Sequence, residues 1–151
     1  MGRDLRIVVD HLTGSRRGQR QELEFGGSHS FGRHPDCDVS FDAHRDLDAS
    51  SRHAELRCTD NGYVLIDVGS SNGTYVDGGK IPKYPVEPGE SVIAEFGSGG
   101  PRVRIYVAED AEDPPPLPPD PAPTSSSRAL FIGLMVAFLL LAGSAVILWM
   151  P

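Results

Sequence analysis

Three short stretches of this sequence collect residues that suit a phosphate group. They are Phe31-Gly32-Arg33-His34-Pro35, Ser50-Ser51-Arg52-His53 and Gly69-Ser70-Ser71-Asn72-Gly73-Thr74. Arg33 offers a planar fork matched to two phosphate oxygens. Ser50 and Ser71 supply hydroxyl donors, and the Asn72 amide can both donate to and accept from a peptide main chain. Gly32, Gly69 and Gly73 allow close backbone approach or a positive φ. The chemistry this set could perform is non-covalent capture of a phosphorylated peptide.

Residues this far apart need a scaffold to meet, and the sequence between them reads as strands. Leu5–Val9, Gln21–Phe25, Cys37–Phe41, Ala54–Cys58, Tyr63–Val68, Thr74–Val76, Ser91–Phe96 and Val103–Ala108 are short apolar or alternating runs. Turn signals punctuate them: Gly26-Gly27, Asp60-Asn61-Gly62, Gly69, Asp77-Gly78 and Gly97–Pro101. Repeated short strands with Gly/Asn/Asp turns predict an all-β sandwich or barrel. No stretch before residue 128 has a helical period. The three phosphate-suited stretches fall between strands.

In this order and spacing, Gly32-Arg33, then Ser50 with His53, then Gly69–Thr74 resemble the signature of the forkhead-associated (FHA) family. The resemblance covers about residues 5–108 and includes Asp77–Lys80 and Pro88-Gly89-Glu90. It implies an FHA-type eleven-stranded β-sandwich that binds phosphothreonine peptides with loops at one end. Carried over by position, Arg33 and Ser50 hold the phosphate. Ser51 adds a phosphate or peptide contact, Ser71 a further donor, and Asn72 binds the peptide main chain. Gly32, His53 and Gly73 are framework residues, with the imidazole pinning the loop that carries Ser50. Two features depart from the family pattern. Ser71 stands where Thr is frequent, which keeps the hydroxyl. The segment Cys37–His53 is longer by an insert around Ala43–Asp48, which bears on peptide preference.

A phosphothreonine brings about −1.5 to −2 charge and three acceptor oxygens. Charge-assisted hydrogen bonds contribute ~1.5–3 kcal/mol each, so one arginine and two hydroxyls discriminate phosphorylated from bare peptide. The chain carries 14 Lys+Arg against 21 Asp+Glu, a net charge of −7. That balance argues against a nucleic-acid partner, which calls for a basic face. Arg33, Arg45 and Arg52 can offset the acidic background locally.

Beyond residue 112 the composition changes. Residues 113–127, DPPPLPPDPAPTSSS, form a Pro/Ser-rich linker; Pro114–Pro123 should extend over roughly 30 Å as polyproline spacer. Residues 128–150 read as a transmembrane helix. From Ala129 to Met150 there is no charge, and such a helix reaches ~33 Å against a hydrocarbon core of ~30 Å. Trp149 suits the interface, and Gly133 with Ala137 is a single small-xxx-small pair. The opening residues carry Arg3, Asp4 and Arg6 with no apolar run after them, so they do not read as a signal peptide. Arg6 also stands where a myristoylation motif needs Ser or Thr. These features predict a single-pass, tail-anchored membrane protein whose N-terminal domain, residues 1–112, faces the cytosol.

Other chemistries fit less well. His34, His44 and His53 with Cys37 lack a closed four-ligand spacing, so neither a metal nor another cofactor is expected. Ser50 or Ser51 near His53 could suggest a nucleophile and base, but no acid is placed to orient the ring, and no enzyme is expected. Cys37 and Cys58 fit one bridge or two reduced thiols equally. The expected function is a membrane-tethered phosphothreonine reader that recruits partners marked by a Ser/Thr kinase. The alternative is a phosphate-independent FHA-like module in a membrane assembly such as a secretion complex.

Overall fold

A computed structural model of the chain describes residues 5–109 and 115–117. Eleven strands form two sheets: β1 Leu5–His11, β2 Arg20–Leu23, β3 Ser28–Gly32, β4 Val39–Ser40, β5 Ala54–Thr59, β6 Gly62–Asp67, β7 Thr74–Val76, β8 Gly79–Ile81, β9 Lys83–Val86, β10 Ser91–Phe96 and β11 Arg102–Glu109. One sheet runs β2-β1-β11-β10-β7-β8 and the other β4-β3-β5-β6-β9. All pairings are antiparallel except β3 with β4. The first and last strands pair over their full length, from Leu5 opposite Glu109 to His11 opposite Val103.

The core lies between the sheets and follows the period of two expected of strands. Ile7 and Val9, Leu56 and Leu65, Val92, Ala94 and Phe96, and Val103, Ile105 and Val107 all point into it. Phe96 sits at the end near the phosphate-suited loops. It stacks on Phe31 with centroids 5.3 Å apart, and the His53 ring meets it edge-on at 5.3 Å. Apolar packing thus continues up to the base of those loops.

Three strands were not legible in the sequence. β3 reads Ser-His-Ser-Phe-Gly and offers one fully buried apolar side chain, Phe31. β8 opens on glycine, and β9 contains Pro85. β9 lies at the edge of its sheet, where a missing N–H costs no ladder bond. The expected strand Cys37–Phe41 shortens to Val39–Ser40, because Cys37 closes a turn with its N–H on the His34 carbonyl at 3.0 Å. Asp77 (φ 51°) and Gly78 (φ 79°) make the two-residue turn joining β7 to β8, both positive as a primed hairpin turn requires. Both cysteines are free thiols, Cys37 buried and Cys58 exposed.

The linker 113–127 is described only at 115–117, which take no regular secondary structure. The segment 128–150, read above as a membrane span, lies outside the described residues. Among the described residues no helix is long and apolar enough to cross a membrane.

Candidate functional site

The loops β3–β4, β4–β5 and β6–β7 meet at one end of the sandwich and are hydrogen-bonded to one another. The Arg33 N–H donates to the Ser50 carbonyl at 3.0 Å, and the His34 N–H to the Ser51 carbonyl at 2.9 Å. The Ser71 N–H donates to Ser50 Oγ at 3.0 Å. Gly32 explains the close approach of the first two loops, since a Cβ there would lie 2.2 Å from the Ser51 carbonyl oxygen. The sequence-predicted residues Arg33, Ser50, Ser51, Ser71 and Asn72 are thus carried by one interlocked surface.

Each is differently engaged. Arg33 donates through Nε to the Ala49 carbonyl at 2.6 Å and through Nη1 to the Ala43 carbonyl at 2.9 Å. Two N–H groups are spent on orientation, and the rest of the fork is left for a ligand. Ser50 Oγ accepts from Ser71, so its own proton remains to be donated outward. Among the described residues the hydroxyls of Ser51 and Ser71 have no hydrogen-bond partner, and both residues are exposed. The Asn72 amide nitrogen donates to the Asp48 carbonyl at 2.9 Å, which leaves its oxygen and one N–H unengaged among the described residues. The insert Ala43–Asp48 takes a direct part in this arrangement. Its carbonyls at Ala43 and Asp48 fix both Arg33 and Asn72.

His53 is fully buried beneath this surface. Its Nδ1 accepts the Ser50 N–H at 2.9 Å, so Nε2 carries the proton and donates it to the Gly73 carbonyl at 2.9 Å. One neutral imidazole ties the β4–β5 loop to the β6–β7 loop. Burial is the main cause that holds its pKa below the usual 6.5. The framework role expected of His53 has a physical basis in these two bonds. Gly73 has φ 83°, and its carbonyl also accepts the Gly97 N–H at 2.8 Å.

Two carboxylates were missed in the sequence. Asp67 organises the β6–β7 loop from within: Oδ1 accepts the N–H groups of Gly69 and Ser70, and Oδ2 accepts the hydroxyls of Ser70 and Thr74, all at 2.6–2.9 Å. Burial pushes this carboxyl up, but those hydrogen bonds outweigh it and hold it below the usual 3.8. Asp46 anchors the insert, accepting Ser15 Oγ at 2.6 Å and the N–H groups of Ser15 and Asp42 at 3.1 and 2.9 Å. Asp67 was legible in principle, because an Asp two residues before a glycine, as in Asp67-Val68-Gly69, is a signal of an Asx turn. Asp46 was not, since its partner Ser15 is 31 residues away. Among the described residues no group of three or more His, Cys, Asp or Glu could hold a metal ion.

The FHA domain model matches residues 29–93, the span that carries all three loops. The glycogen accumulation regulator GarA of Mycobacterium tuberculosis is 43% identical over 68 residues, which cover 44% of this chain and 40% of GarA. The oxoglutarate dehydrogenase inhibitor of Corynebacterium jeikeium is 52% identical over 46 residues, or 30% of each chain. The match therefore spans well under half the length of either relative. The fold is shared with the crystal structure of the FhaA FHA domain complexed with the intracellular domain of Rv3910, at a TM-score of 0.54 and 24% identity, covering 66% of this chain and 99% of that one.

Proposed function

From the FHA domain that this chain carries, we propose a phosphothreonine-peptide reader tethered to a membrane, which gathers partners marked by a Ser/Thr kinase. The observation that carries this reading is the state of the loop end. Arg33 is oriented by two backbone carbonyls, and Ser50 keeps a hydroxyl proton to donate. Ser51 and Ser71 have hydroxyls with no protein partner among the described residues. Such a set of prearranged, outward donors suits an anion with three acceptor oxygens. Its donors do not have to be pulled away from internal partners, which lowers the cost of ordering the site on binding.

In this reading Arg33 and Ser50 take the phosphate, with Ser51 and Ser71 as further donors. Asn72 binds the peptide main chain, while Gly32, His53 and Gly73 hold the frame. The domain binds and performs no catalysis, in keeping with relatives named as a regulator and an inhibitor. The tether is the uncharged segment 129–150, and the domain faces the cytosol, where kinases and their substrates meet.

An oriented library of phosphothreonine peptides, presented to the full chain in detergent micelles, tests the reading. The expected result is selective retention of phosphorylated peptides, lost on phosphatase treatment. Retention that is indifferent to phosphatase would instead favour a phosphate-independent assembly module.

A further inference from the structure

The outer face of the first sheet is buried along β1 and β11, where a two-sheet sandwich usually meets solvent, while Glu22 of β2 and Ile93 of β10 are exposed. Ile7 and Val9 of β1 and Val103, Ile105 and Val107 of β11 point into the core. Alternation places Val8 and Asp10, and Arg104, Tyr106 and Ala108, on the opposite side. Val8 and Ala108 are nonetheless fully buried, and Tyr106 is 5% exposed; the three form a second apolar cluster. Asp10 on the same face is 1% exposed.

Asp10 fixes two arginines. Its Oδ1 accepts Arg20 Nε at 2.6 Å. Its Oδ2 accepts Arg20 Nη2 at 3.1 Å, Arg104 Nε at 3.1 Å and Arg104 Nη2 at 2.6 Å. Both guanidiniums then turn remaining N–H groups to the segment after β11. Arg20 Nη2 donates to the Pro115 carbonyl at 3.0 Å. The one N–H that Arg104 Nη2 keeps after Asp10 is shared between the carbonyls of Pro115 and Pro116, at 2.7 and 3.0 Å.

We propose that this part of the outer face is a polyproline-docking groove, occupied by the chain's own Pro115, Pro116 and Leu117. A run of prolines has no N–H to give and makes no internal hydrogen bonds, so it presents carbonyl acceptors and ring surface. A site built for it must supply fixed donors beside apolar side chains. Arg20 and Arg104 are such donors, held in place by a buried carboxylate, and Val8, Tyr106 and Ala108 are the apolar floor. The proline segment is already extended, so docking costs little conformational entropy.

A spin label tests this in the full chain in detergent micelles. Leu117, 38% exposed, is replaced by Cys for labelling and the exposed Cys58 by Ser. The amide signals of Val8, Asp10, Glu22 and Tyr106 should be lost to paramagnetic broadening, while those of Leu56 and Val64 on the other sheet persist. Pro115→Gly with Pro116→Gly, which leaves the sandwich untouched, should restore the outer-face signals. Equal broadening of both sheets, or no recovery in the glycine variant, would overturn the proposal.

Discussion

At the scale of single residues, the loop end depends on side chains that lie beneath its surface. His53 must stay neutral to accept from Ser50 while donating to Gly73. Burial keeps its folded pKa low, whereas the unfolded chain takes up a proton near 6.5. Stability from this group is therefore complete above about pH 6.5 and lost as pH falls toward the folded value. His11, shifted down by burial and then by Arg16, acts in the same direction. Thermal melts without ligand should show the domain less stable at pH 5 than at pH 7, and a flat profile would contradict the neutral assignment. Replacing His53 by Ala should cost ~2–4 kcal/mol, since it leaves a cavity and strands the Ser50 N–H. Asp67→Ala removes four acceptor contacts beneath the β6–β7 loop. It should destabilise by ~1–3 kcal/mol in denaturant titration and weaken ligand binding without altering Arg33. The phosphate-suited types at Arg33, Ser50 and Ser71 were legible because their chemistry is intrinsic to the residue. The supporting role of Asp46 was not, because it depends on a partner brought close only by folding.

At the scale of elements, β5, β6 and β10 were readable because one buried face imposes a period of two, and β1 and β11 because both of their faces are buried and they read as near-continuous apolar runs. β3 was not, because Phe31 is its one fully buried apolar side chain, and β8 and β9 were not, for they are short and lie at sheet edges, defined by their neighbours more than by their own side chains. β3 matters most, because it delivers Gly32 and Arg33. Gly32→Ala would drive a Cβ to 2.2 Å from the Ser51 carbonyl, a backbone atom with little room to yield. The expected result is a loss of ~2 kcal/mol or more in stability together with weaker phosphopeptide binding, as the β4–β5 loop is pushed away from Arg33. Circular dichroism melts and a binding titration on the same sample check both effects. Unchanged melting and affinity would mean that the two loops do not pack this closely in solution.

At the scale of the whole molecule, the reading joins a phosphate-binding end, a proline segment and an apolar tail. The tail and most of the linker were read from composition alone, and the orientation they imply is open to direct test. Protease added to inverted vesicles should release the domain by cutting within 113–127, whereas protease outside sealed cells should spare it; the reverse pattern would refute a cytosolic domain. The central claim, that the loop end recognises a phosphate, stands apart from topology. Its most direct measurement is calorimetric titration of one peptide in phosphothreonine and unphosphorylated forms against the native chain and Arg33→Ala. The account predicts binding of the phosphorylated form only, weakened by at least ~2 kcal/mol, roughly thirty-fold, in Arg33→Ala with the fold intact. Binding should also decline from about pH 7 to about pH 5 as the phosphate dianion, with a second pKa near 6, takes up a proton. Equal affinity for both peptide forms, or for the native and Arg33→Ala proteins, would contradict it.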